Sequence, residues 1–150
     1  MTIKTFRGKI AHGGQDTIVL HTNNGSTGYR IVKFQVMNPE AGAAASETQS
    51  TVKIYKTEQT TIDSKVDFSE NILLGAAQLG TQDAFDVYPQ STVVIFDREI
   101  FNQDIYVTHN NYHADATATN YYIELEQVKL DLSENTVATL KDLRNETLVI

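Results

Sequence analysis

Apolar and polar residues alternate with a period of two in segment after segment of this chain, and turn-forming residues separate the segments. That period buries one face of a strand and wets the other, so it commits the chain to pleated sheet. Residues 2–10 alternate loosely, with Phe6 and Ile10 on one face. His12-Gly13-Gly14-Gln15 is a turn, and Asp16 to Thr22 follows as a strand with Ile18 and Leu20 inward. Asn23-Asn24-Gly25-Ser26 holds the Asn-Gly pair that suits a tight hairpin. Over 28–37 the spacing puts Val32, Phe34 and Val36 inward and leaves Tyr29, Ile31, Lys33 and Gln35 toward solvent.

The rest of the chain reads the same way. Residues 38–50 hold no large apolar side chain and are expected to be surface loop. Thr51–Thr57 alternates with Val52 and Ile54 inward, 58–71 is a polar connection, and Ile72–Leu79 reads as a short buried strand. After a loop from Thr81 to Ser91, strands are expected at Thr92–Phe96, Asp104–His109 and Tyr121–Leu132. In the last, the apolar phase changes between Ile123/Leu125 and Val128/Leu130, which predicts a β-bulge at Glu126-Gln127. From Ser133 the tail is expected to be helical, with Ser133 as N-cap and Thr136, Leu140 and Leu143 as its apolar stripe.

About eight short strands between turn signals predict an all-β chain: a two-sheet antiparallel β-sandwich, jelly-roll-like, with a short C-terminal helix. The expected division is a β-sandwich over 1–132 and a helix and tail over 133–150. The tail ends in Leu148-Val149-Ile150, a bare apolar run that must dock on this domain or on a neighbour.

Composition narrows the function classes. The 150 residues contain no cysteine, which excludes disulfides, thiol catalysis and Cys-based metal sites. A net charge of −7 makes the chain a poor partner for phosphate backbones, so no nucleic-acid partner is expected. No apolar run is long enough to span a membrane, and the first residues lack the apolar stretch of a signal peptide. Asn24-Gly-Ser26 and Asn145-Glu-Thr147 match the glycosylation pattern by chance.

Candidate chemistry is sparse. His109 and His113 are four apart, but in a loop that spacing carries no metal-binding geometry, and both are expected to be exposed, as are His12 and His21. Glu124 and Glu126 share one strand face at a separation a glycosidase pair can use, yet alternating charge on an exposed face is the simpler reading. Asp97, Glu99 and Asp104 cluster without a calcium-loop pattern. No nucleotide, nucleophile-elbow or zinc motif occurs, so neither catalysis nor a metal or other cofactor is expected. Tyr106, Tyr112, Tyr121 and Tyr122 fall close together, and with Leu148, Val149 and Ile150 they are the candidate interface residues.

Three stretches carry a family likeness: Gly28-Tyr-Arg-Ile-Val-Lys-Phe-Gln-Val, Val52-Lys-Ile-Tyr-Lys-Thr57 and Ile95–His109. So does Asn120 through Asn145. Together they resemble small structural proteins of marine tailed bacteriophages, of the capsid-decoration or minor-capsid type. The resemblance implies a component of the virion exterior, present in host cytoplasm during assembly. It would bind the major capsid protein or other virion proteins, and often forms a homo-oligomer. The competing expectation is a carbohydrate- or receptor-binding tail or fibre module, using Tyr106, Tyr112 and Tyr122 as a platform.

Overall fold

A computed structural model describes residues 2–22, 25–40, 48–80, 90–96, 99–113 and 116–147. The strands are β1 (Thr2–Ile10), β2 (Gln15–Ile18), β3 (Thr27–Met37), β4 (Gln49–Tyr55), β5 (Leu73–Gly80), β6 (Gln90–Ile95), β7 (Ile105–Asn111) and β8 (Thr119–Lys129). One helix, α1, spans Leu132–Thr147. No helix among the described residues is long and apolar enough to cross a membrane.

Two antiparallel sheets face each other, as the alternation requires. One has the order β1-β8-β3 and the other β2-β7-β4-β5-β6. The orders β1-β8-β3 and β2-β7-β4-β5 are those of a jelly roll. β6 departs from that plan: it stays paired with β5 instead of crossing to β3. β3 and β6 are therefore both edge strands, and the sandwich is open along the seam between them.

Ile10, Ile18, Leu20, Phe34, Val52, Ile54, Val107, Ile123 and Leu125 fill the space between the sheets. Two glycines serve close approaches. A Cβ on Gly8 would meet the Tyr121 hydroxyl at 2.9 Å, so the bare position lets that ring lie across β1. At Gly75 a Cβ would sit 3.3 Å from the Val94 carbonyl oxygen and 3.6 Å from the Phe34 ring.

Several expectations are corrected. The register shift lies in β3, between Ile31 and Lys33, while β1 and β8 pair without a break through Glu126 and Gln127. The bulge at Val32 inverts the expected faces from Tyr29 to Val32, while Phe34 and Val36 point inward as expected. Tyr29 and Ile31 are core residues, and Val32 turns outward. The strand expected over 16–22 ends at Ile18, although Leu20 is still buried. β7 runs two residues beyond His109, to Asn111.

Both faces of β4 are covered. Its outer residues lie beneath the 58–71 connection, where Tyr55, Ile72 and Leu73 form a second cluster with Val66 and Phe96. The buried Lys53 ammonium donates there to Asp63 Oδ1 at 3.1 Å and to the Lys65 carbonyl at 2.5 Å.

The helix cap is Asp131, not Ser133. The Glu134 amide donates to Asp131 Oδ1 at 2.8 Å, and the Asp131 amide donates to Glu134 Oε2 at 3.1 Å, a reciprocal capping box. The expected stripe is also turned around. Leu140 and Leu143 face solvent, whereas Ala138 and Asp142 face the domain. Leu148, Val149 and Ile150, and most of the loops expected at 38–50 and 81–91, lie outside the described residues.

Candidate functional site

His109 sits in the inward phase of β7 with Ile105 and Val107 and is fully buried, against the expected exposed loop histidine. Its Nδ1 lies 3.0 Å from the Ile10 carbonyl, which can only accept, so the proton is on Nδ1. Nε2 then accepts from the Ser50 hydroxyl at 2.9 Å. Ser50 Oγ, its proton given to Nε2, accepts from the Thr48 hydroxyl at 2.6 Å, and Thr48 Oγ1 accepts from the Asn111 side-chain amide at 3.1 Å. Burial pushes the His109 pKa down, because the charged imidazole would lose its water. A serine beside a histidine suggests nucleophilic chemistry, but Ser50 is as buried as its partner and no substrate reaches it. The row holds β1, β4 and β7 together.

A second polar cluster joins α1 to the sheets. The Lys56 ammonium is 3.1 Å from Glu99 and 3.2 Å from Asp142 Oδ1, and Lys141 adds a contact to Glu99 at 2.9 Å. The buried Asn102 side-chain amide donates to Thr139 Oγ1 at 2.8 Å and to the Gly25 carbonyl at 3.2 Å. Its backbone amide donates to Asp142 Oδ2 at 3.3 Å. Burial raises the Asp142 pKa although Lys56 opposes it. Burial also works against the Glu99 carboxylate, but its two lysines outweigh that and hold its pKa below the ordinary value. The cleft beside this cluster, about 170 Å³, is lined by Lys56, Asp104, Tyr106 and Asp142, whose charges are already paired.

The carboxylates singled out from sequence are spoken for. Glu124 accepts from the Tyr122 hydroxyl at 2.8 Å and lies 3.9 Å from Lys33, while Glu126 receives Arg30 Nε at 2.5 Å. The hydrogen bond to Glu124 raises the Tyr122 pKa. Asp104 accepts the Leu20 and His21 amides at 2.8 and 3.1 Å and meets His21 Nδ1 at 2.7 Å. Asp97 lies outside the described residues. Among the described residues no three metal-ligating side chains converge.

The tyrosines do not form one platform. Tyr121 points inward and donates to Asp16 Oδ2 at 2.9 Å, and burial together with that bond pushes its pKa well up. Tyr122 lies on the outer face of the three-stranded sheet, Tyr106 on the outer face of the other, and Tyr112 is exposed beyond β7. Adjacent residues of a strand necessarily face opposite ways.

Two surfaces remain that sequence reasoning did not find. One is the outward face of α1, where Val137, Leu140 and Leu143 are 64%, 60% and 50% exposed. The other is a groove of about 760 Å³ along the open seam. Phe34, Val36, Val93 and Tyr121 give it an apolar floor, and Arg7 and Asn120 stand at its rim. Only the strand order creates the groove, so no local signal announces it.

No family model and no curated protein matches this chain. Among solved structures it is similar to a protein from a study titled "Bacillus endospore appendages form a novel family of disulfide-linked pili". That match has 12% identity and a TM-score of 0.38, covering 87% of this chain and 90% of the other. It is also similar to the Yersinia pseudotuberculosis-derived mitogen, at 10% identity and a TM-score of 0.31, covering 87% of each chain. At such values neither likeness assigns a function.

Proposed function

We propose that this chain is a non-enzymatic structural component of a virion, a capsid decoration or minor capsid protein that binds the major capsid shell by surface complementarity. The virion reading rests on the sequence resemblance, and places the chain on the capsid exterior after assembly in host cytoplasm. The binding role rests on one observation: α1 is anchored through Asn102, Lys56 and Asp142, yet presents Val137, Leu140 and Leu143 to solvent. A helix held by its polar face and apolar on the other is built to be covered by a second surface.

Deleting residues 133–150 is not a clean test, because it removes Asp142 from Lys56 and uncovers Asn102. Leu140→Asp with Leu143→Asp leaves those anchors in place. Co-sedimentation with shells lacking the protein is expected to show occupancy reduced by about tenfold or more, with an unchanged circular dichroism spectrum. Full saturation of shells by the double variant overturns the reading.

A second reading, a carbohydrate- or receptor-binding tail or fibre module, is favoured by the groove, whose wall sets Tyr122 beside Asn120 and Gln35. Binding on a glycan array that is lost in Asn120→Ala supports it, and an array without hits removes it.

A further inference from the structure

Charge in this chain is segregated by sheet. β1, β3 and β8 carry Lys4, Arg7, Lys9, Arg30, Lys33 and Lys129 against only Glu124 and Glu126, a net of +4. With −7 overall, the remaining residues sum to −11. On the basic sheet Arg30 and Lys33 are paired with those two glutamates. Arg7 and Lys9 form no ion pair among the described residues. They lie two apart on exposed positions of β1, with Arg7 at the rim of the seam groove and its apolar floor.

The opposite end of the molecule presents the complement. In the turn Asp67-Phe68-Ser69-Glu70 an aromatic ring, 56% exposed, stands between two carboxylates. The turn is preformed. Asp67 Oδ1 accepts from the Ser69 amide at 2.9 Å and from its hydroxyl at 2.6 Å, and the Glu70 amide donates to the Asp67 carbonyl at 3.2 Å. The Phe68 ring rests edge-on against Phe96, centroids 5.5 Å apart, so it is positioned while still exposed. This turn leads into the N-terminal end of β5, whereas the groove residues Ser91 and Val93 pair with Leu79 and Ala77 toward its far end. Phe68 is held by Phe96, three residues and roughly 10 Å of strand beyond the groove residue Val93, and none of the turn residues lines the groove, so the turn does not fill its own groove.

We propose that the seam groove receives the Asp67–Glu70 turn of a second copy of this chain, with Phe68 on the apolar floor and the carboxylates against Arg7 and Lys9. An exposed aromatic flanked by charge, meeting an apolar groove rimmed by the opposite charge, is how a contact gains both energy and register. Donor and acceptor are different surfaces at opposite ends. The contact is therefore head-to-tail, leaving a free groove and a free turn on each pair, and it builds rows or a ring rather than a two-fold dimer. It stands independently of the α1 reading.

The test is sedimentation velocity of the full chain from about 10 to about 500 µM, a range that captures small, weak interfaces. A concentration-dependent ladder of oligomers that weakens with added salt is expected. Phe68→Ser and Arg7→Glu should each raise the apparent Kd by about tenfold or more, with the melting temperature unchanged. An equal mixture of Arg7→Glu and Asp67→Arg chains should regain the association that each variant alone has lost. A monomer throughout the range overturns the proposal, as does association insensitive to both Phe68→Ser and Arg7→Glu. Loss of association in the α1 variant Leu140→Asp overturns it too, by moving the contact to that stripe. Glycan binding that Arg7→Glu removes while sedimentation stays unchanged would give the groove to a sugar.

Discussion

The two buried polar clusters around His109 and Lys56 are opposites. The His109 row is neutral, sits between strands, and joins an imidazole, two hydroxyls and an amide to the Ile10 carbonyl. The Lys56 cluster is charged, sits between sheet and helix, and sets two carboxylates around one ammonium. A neutral row leaves little uncompensated when one member is removed, because each group has lost a single hydrogen bond. A charged cluster is unforgiving, because removing one ion strands its partners out of water. The sandwich therefore closes with the gentler device, and α1 is attached by the harsher one. That makes helix docking the more mutation-sensitive of the two junctions.

Lys56→Ala attacks that difference most directly. Asp142 would be left buried without its cation, and the cost is expected to be about 3 kcal/mol, read in urea unfolding. The loss should be smaller in Lys56→Ala with Asp142→Asn, which removes both charges. Equal losses in the two variants would mean that the ammonium acts only through packing.

His109→Leu is next, at about 2 kcal/mol, since the Ile10 carbonyl and the Ser50 hydroxyl lose their partner. It also sharpens the comparison through pH. The folded pKa of His109 lies below the ordinary value of 6.5, so as pH falls the unfolded chain takes up this proton first. Stability from this residue is therefore complete above about pH 6.5 and declines as pH drops toward the folded value. His109→Leu should flatten the stability profile just below about pH 6.5, and a variant with the parent slope there would exclude His109 as its source. The Lys56 cluster behaves differently. Glu99, with its lowered pKa, loses its contribution only below its ordinary value of 4.5, while the raised pKa of Asp142 works in the other direction.

Asp131→Ala is the smallest of the three, at about 1 kcal/mol, because it removes one half of a solvent-exposed capping box. Its effect should appear in far-ultraviolet helicity and leave the pH profile unaltered.

Strands were legible wherever the alternation was regular. Val52, Ile54, Ile18 and Leu20 lie where period two puts them. The reading fails from Tyr29 to Val32 because one inserted residue reverses the faces on one side of it relative to Phe34 and Val36 on the other, and a bulge leaves no mark in the composition around it. It failed at His109 for a different reason. The residue is in phase with Ile105 and Val107, so its position signals burial where its residue type signals exposure.

The Asp131-x-x-Glu134 box is equally visible in the letters, two residues before Ser133. The helix stripe misled because α1 is fixed by Asn102, Thr139 and Asp142 rather than by leucines. No periodicity argument weights such contacts. The seam groove was out of reach altogether, since it exists only because β6 stays with β5.

The Ile10 carbonyl has no proton to give, and that simple lack travels far. It selects the imidazole tautomer, which fixes the sense in which Ser50 points, and Ser50 in turn fixes Thr48. Four groups, from β1, β7, β4 and the residue just before β4, thus share one orientation, like a row of compass needles set by the first. An added proton at the ring cannot be absorbed locally, because every rotor downstream would have to reverse together.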